Sequence, residues 1–234
     1  MTIYPVNECT IAVKVGEGLD ETVNEKAHAL YHRLKQDPLW SDVIPAYNTV
    51  TVVYDPWALR QVHPSASAFA MSLLQQAIDQ LSYIPRQPAR LLNIPVCYDA
   101  SFGLDLTQLS IDRQISVDQI ITLHTEKTYR VCMIGFLPGF AYMGKVDSRI
   151  ASPRLMKPRT LVPAGSVGIA GEQTGIYPFD SPGGWNIIGR TPVLMFEKEK
   201  SEPVFFQPGD HVKFFPITKA EWEAFDLPEF LSKL

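Results

Sequence analysis

Apolar and polar residues alternate over residues 10–15, TIAVKV, with the two-residue period of a half-buried strand. Asp20 then stands where a helix N-cap is expected. Val23, Ala27, Leu30, Tyr31 and Leu34 follow at three- and four-residue spacing, so the pattern predicts a helix with these side chains on one face. Two more strand-like runs, 43–46 and 49–54, flank Tyr47-Asn48 and predict a hairpin. A second helix is expected from about Ser65, with Ala70, Leu74, Ala77 and Leu81 in register. This β-α-β-β-α order describes a small α/β layer domain over residues 1–85. The segment PRQPAR, residues 85–90, has two prolines, two arginines and no apolar periodicity, and is read as the domain boundary.

Beyond it the pattern changes. Residues 91–98 read as a strand, and Asp105 with Gln108, then Ser116 with Gln119, have the spacing of capping boxes that open two short helices. The rest is mostly β. Short apolar runs at 129–134, 167–170, 185–188, 193–196, 204–206 and 212–215 alternate with turn signals in sufficient number to close a barrel, and a short helix near 219–225 packs against it. The expected fold class is therefore α+β, with the small α/β domain first and a β-barrel domain over residues 86–234.

Composition narrows the function. With 46% hydrophobic residues the chain of 234 residues has the material for two modest cores. A formal charge of -4 offers no basic field for a phosphate backbone, so no nucleic-acid partner is expected. No run approaches the ~20 apolar residues of a membrane span. The opening MTIYPVNECT lacks a charged region followed by an apolar one, and a cytoplasmic location is the expectation. Cys9, Cys97 and Cys132 fit neither a disulfide framework nor zinc spacing, and no metal site is expected.

Candidate chemistry concentrates in the second half. Residues 165–192 hold seven of the 14 glycines, which suits tight turns or close approach of backbone to a ligand. Gln173, Thr174, Tyr177 and Ser181 add hydrogen-bonding side chains there. Arg154 and Arg159 each follow a proline in PRLMKPR, where a constrained backbone aims two guanidinium forks suited to a carboxylate or acyl phosphate; surface ion pairing is the competing reading. His124 ends an apolar helical face, either as a satisfied core histidine or as a site residue at the start of the next strand. His28 and His32 share a helix face without a third ligand and read as solvated. GFLPGF, residues 135–140, is either a barrel corner with Phe136 and Phe140 as core plugs or a ligand-lining loop. Neither GxxxxGK[ST] nor GxSxG occurs, so a phosphate loop and a hydrolase elbow are absent.

The succession GFLPGFAYMG, PRLMKPRTLVPAGSVGIAGEQTGIYPFDSPGGWNIIGRTP and QPGDHVKF closely resembles the carboxyltransferase subdomain family, which takes in the 5-oxoprolinase B subunit, a histidine-kinase inhibitor subunit, proteins labelled allophanate hydrolase subunit 1, and part of urea carboxylase. The resemblance runs from about Leu91 to Phe215 and extends more loosely to the first half. It implies a cyclophilin-like β-barrel behind a small α/β domain. It also implies an ATP-dependent heteromeric enzyme that opens 5-oxoproline, a small carboxylated lactam, to glutamate, with a homologous second subunit and a lactam-utilisation subunit as partners. On this basis Arg154, Arg159, Gln173, Tyr177 and His124 are the expected substrate-binding residues, and ATP is expected to bind mainly on the assembled complex. A regulatory binder of a sensor histidine kinase is the alternative, and an allophanate hydrolase or urea carboxylase component fits less well. Where relatives read PVCYGGEFGPDL this chain has PVCYDASFGLDL, so Asp99, Ala100, Ser101 and Leu104 replace two glycines, a glutamate and a proline.

Overall fold

A computed structural model describes residues 1–81 and 89–232. The chain divides into two compact units, Met1–Pro88 and Ala89–Leu234. Of the boundary segment 85–90 read from the sequence, residues 85–88 lie outside the described residues.

The first unit runs β1 (Thr2–Asn7), β2 (Thr10–Lys14), α1 (Glu21–Lys35), β3 (Trp40–Pro45), β4 (Thr49–Tyr54), α2 (Pro56–Arg60) and α3 (Ala66–Asp79). Its strands form an antiparallel sheet in the order β1-β2-β4-β3. Helices α1 and α3 cover the sheet, burying Ile11, Val13, Val50 and Val52 against Leu30, Leu34, Ala70 and Leu74. The expected caps form: Asp20 Oδ1 accepts from the Thr22 and Val23 amides, and Ser65 Oγ from that of Ala68. Strand β1 and helix α2 add to the expected order. β1 carries Pro5, which argues against a central strand and is accommodated because β1 lies at the sheet edge. α2 is a single turn capped by Asp55 with Pro56 at its start, too short for apolar periodicity. His28 is buried rather than solvated, edge-on to the Tyr31 ring.

The second unit contains β5 (Leu91–Cys97), α4 (Leu106–Arg113), α5 (Val117–Glu126), β6 (Thr128–Ile134), β7 (Ala141–Gly144), β8 (Arg159–Val162), β9 (Ser166–Ala170), β10 (Gln173–Ile176), β11 (Ser181–Gly183), β12 (Asn186–Arg190), β13 (His211–Ile217), α6 (Lys219–Glu223) and α7 (Leu227–Leu231). Seven strands close a barrel in the order β10-β7-β6-β13-β5-β12-β9, with β9 and β10 completing the ring. Strands β5 and β13 run parallel, Leu91 beside His211 through Cys97 beside Ile217. The barrel fills with Ile94, Val96, Val131, Met143, Ile169, Ile176 and Phe214. Strands β8 and β11 pair separately as a two-stranded sheet.

The second unit departs from the expected pattern at two places. Residues 193–196 and 204–206 are not strands: Phe196 and Val204 make an isolated bridge, while Val193, Met195 and Phe206 reach the core from irregular chain. Apolar content there serves packing without a ladder. Ser116 and Gln119 form the expected capping box, but Asp105 does not cap α4 with its side chain. Its carboxylate is engaged by residues remote in sequence.

Candidate functional site

Strand β10 carries two kinds of side chain on its two faces. Thr174 and Ile176 are buried toward the barrel interior. Tyr177, just past the strand, joins a separate apolar cluster with Phe140, Val162, Trp185 and Ile187 on the other side of the wall. Phe140 packs edge to face on Tyr177 at 5.2 Å and on Trp185 at 5.3 Å, and Tyr142 lies tilted 4.7 Å from Phe140 and edge to face 5.8 Å from Trp185. Val162 at the end of β8 packs into the same cluster, and at Gly183 of β11 an added Cβ would overlap the Tyr177 hydroxyl. That glycine brings backbone against a buried phenol, a close approach no other residue permits.

Arg154 borders this aromatic cluster. It is exposed, and no hydrogen bond or ion pair engages it among the described residues. Burial pushes the Tyr142 and Tyr177 hydroxyls above the usual tyrosine range, and the Arg154 charge pulls both back. The neighbouring Trp185 backbone likewise favours the ionised form of Tyr177. The arrangement thus sets an uncommitted guanidinium fork beside an aromatic surface, suited to a small ligand with a carboxylate on an apolar ring.

Arg159 is placed differently. Its Nη1 and Nη2 donate to the two Asp105 oxygens at 2.8 and 2.6 Å, and Asp105 Oδ2 also accepts from the Ile187 amide at 2.6 Å. This arginine ties β8 to the start of α4 and to β12. Gln173 lies at the opposite end of β10 from Tyr177, roughly 13 Å away at the usual strand rise. His124 is fully buried inside the barrel. Its Nδ1 accepts from the Tyr98 hydroxyl at 2.7 Å, and its Nε2 donates to Thr174 Oγ1 at 2.9 Å, which in turn donates to the Gly168 carbonyl. The ring stacks on Phe214, and burial lowers its pKa to about 3. Both ring nitrogens are satisfied within the core, so His124 acts there as a neutral structural hydrogen-bonding centre.

The structure therefore brings Arg154 and Tyr177 together, commits Arg159 to an internal ion pair, and separates Gln173 and His124 from them. Tyr142 and Trp185, not singled out from the sequence, complete the surface. The alternation in AYMG, with Met143 in the barrel core and Tyr142 on the other face, was the available signal. In the GFLPGF turn Phe140 is buried as expected, but Phe136 is 63% exposed with a positive φ of 71°. A cavity of about 440 Å³ lined by residues such as Arg90, Leu92, Lys200 and Phe205 shares no residue with the aromatic surface. Among the described residues, no cluster of three or more His, Cys, Asp or Glu is arranged for a metal ion. No helix among them is long and apolar enough to cross a membrane.

Residues 1–206 match the sequence family described as carboxyltransferase domain, subdomain C and D. The chain belongs to that family. It is 35% identical over 229 residues to the 5-oxoprolinase B subunit of Bacillus subtilis (strain 168), covering 95% of each chain. Among solved structures it superposes on TTHA0988 with a TM-score of 0.75 at 35% identity, over 89% of this chain and 40% of that one. It thus spans less than half the length of that solved relative. The Kluyveromyces lactis urea amidolyase shares the fold at 17% identity and a TM-score of 0.75, over 99% of this chain and 17% of that one.

Proposed function

We propose that this chain is the B subunit of a heteromeric, ATP-dependent 5-oxoprolinase and that Arg154 holds the substrate carboxylate. The observation that carries the reading is the unpaired Arg154 guanidinium beside Tyr142 and Tyr177, in a family member 35% identical to a protein named as the 5-oxoprolinase B subunit. A guanidinium fork binds a carboxylate bidentately, and the Tyr142 and Trp185 rings offer apolar surface to the methylenes of a five-membered lactam. ATP would transfer a phosphoryl group to the lactam oxygen and make the ring carbonyl carbon a better electrophile; water adds there, the ring C–N bond breaks to free the amine of glutamate, and phosphate is released. This chain's part is to orient the substrate, with a homologous second subunit and a lactam-utilisation subunit completing the site. Exposed Phe136, Met156 and Leu161 are apolar surface suited to such a partner. The same exposure favours the second reading, docking to a sensor kinase without chemistry. The deciding experiment measures glutamate release from 5-oxoproline with ATP by the chain alone, by the co-expressed subunits, and by the subunits lacking this chain. Activity confined to the full set supports the proposal, whereas turnover by the lone chain or undiminished activity without it refutes it.

A further inference from the structure

Arg190 ends β12 with Ser166 and Cys97 as its register partners. Its Nε donates to the Ala164 carbonyl at 2.7 Å. The guanidinium carbon lies 5.3 Å from the Trp222 ring and 5.8 Å from that of Phe102, and these rings are 4.7 Å apart. One hydrogen bond and two cation–π contacts thus fix the guanidinium, leaving its Nη atoms without an acceptor among the described residues. Lys219 opens α6 with its ammonium 6.0 Å from the Phe102 ring; it is exposed and likewise has no acceptor among them.

The carboxylates nearby are committed elsewhere. Asp99 accepts from the Ser101 amide and hydroxyl at 2.9 and 2.5 Å, and the Glu221 carboxylate accepts from the Thr218 amide and hydroxyl in the cap of α6. The Lys219 charge still reaches Asp99, without an ion pair between them. Trp222 Nε1 is buried and has no hydrogen-bond partner among the described residues. The Arg190 Nη atoms and the Lys219 ammonium are thus donors that neither carboxylate engages directly, while Asp99 and Glu221, whose hydrogen bonds come from neutral groups, keep their negative charge nearby.

We propose that Arg190 and Lys219, framed by Phe102 and Trp222, form a binding site for a phosphate-type oxyanion. A guanidinium fork matches two oxygens of a phosphate and the ammonium supplies a second charge for a dianion, whereas a single carboxylate engages the fork alone. The phosphate is either free or the phosphoryl group of a nucleotide. The site shares no residue with the Arg154 surface, and the inference does not rest on the lactam reading.

The test is calorimetric titration of the full chain with inorganic phosphate, ATP and glutamate, with Trp222→Phe used to assign any change in tryptophan emission. The expected result is saturable one-site binding of phosphate or ATP with a Kd of ~1 mM or tighter, an emission change lost in Trp222→Phe, and weaker binding of glutamate. Lys219→Ala and Arg190→Lys should each weaken binding roughly tenfold, since each removes a charge-assisted hydrogen bond. ATP competing with phosphate identifies the nucleotide as the source; phosphate binding without ATP binding identifies the free ion. The proposal is overturned by the absence of saturable binding of either, by glutamate binding as tightly as phosphate, or by unchanged affinity in the variants. Lys219 is exposed, so its variant decides the matter even if Arg190→Lys fails to fold.

Discussion

Asp105 and Arg159, 54 residues apart, close a two-point ion pair whose acid also receives the Ile187 amide at 2.6 Å. One carboxylate thereby holds together the start of α4, strand β8 and strand β12. The side chains retain only 10% and 28% exposure, so solvent screens the pair less than it would a surface contact. Replacing Asp105 by Ala leaves the guanidinium and the amide short of an acceptor and should cost about 2 to 4 kcal/mol in urea denaturation. Asp105→Asn, which keeps one acceptor oxygen, should cost less. A loss below ~0.5 kcal/mol for Asp105→Ala would show that the clamp is not a stabilising one.

Arg154 should behave in the opposite manner. It is exposed and unpaired among the described residues, so Arg154→Lys should shift stability by no more than ~0.5 kcal/mol. In the assembled enzyme the same change keeps the charge but loses the fork. It should raise KM for 5-oxoproline roughly tenfold or more, the equivalent of one charge-assisted hydrogen bond. Unchanged KM in the variant complex would remove Arg154 from the site.

His124 makes a prediction about acid. Its folded pKa of about 3 lies below the ordinary histidine value of 6.5, so the unfolded chain binds the extra proton between these pH values. The stability it contributes is fully present above pH 6.5 and is lost as pH falls toward 3, at about 1.4 kcal/mol per pH unit. Denaturation at pH 7 and pH 5 should show a fall roughly 2 kcal/mol larger in the native chain than in His124→Gln. Equal falls would mean that His124 does not drive the acid sensitivity.

Gly183 is the sharpest steric constraint on the aromatic cluster. An added Cβ there would overlap the Tyr177 hydroxyl and stand 2.8 Å from two of its ring carbons, with Tyr177 itself buried. Gly183→Ala should cost roughly 1 to 3 kcal/mol, as overpacking generally does. Gly183→Ala combined with Tyr177→Phe, which removes the overlapping oxygen, should recover part of that loss. A thermal melt of the two variants checks both statements.

Features fixed by neighbours in sequence are legible without the structure. The Asp20, Ser65 and Ser116 caps act over two or three residues, and the faces of α1 and α3 follow from the helical period, so local chemistry specifies them. The barrel strands flanking the glycine-rich turns, β9 and β12, can be read from short apolar runs for the same reason. Arg154 and Tyr177 also stand out in the sequence, because proline-flanked arginine and a polar ring among glycines are unusual in plain turns.

What only the tertiary structure decided concerns partners distant in the chain. Asp105 has a cap's spacing, yet its carboxylate bonds Arg159 and the Ile187 amide, since a fixed guanidinium outcompetes a local amide for a charged acceptor. His124 is ambiguous as a lone apolar-face histidine until Tyr98 and Thr174, 26 residues before it and 50 after it, satisfy both its nitrogens. The parallel pairing of β5 with β13 and the segregation of Tyr177 from Ile176 across one wall arise only when the barrel closes. Periodicity determines which side chains share a face, whereas closure of the sheet determines what each face meets.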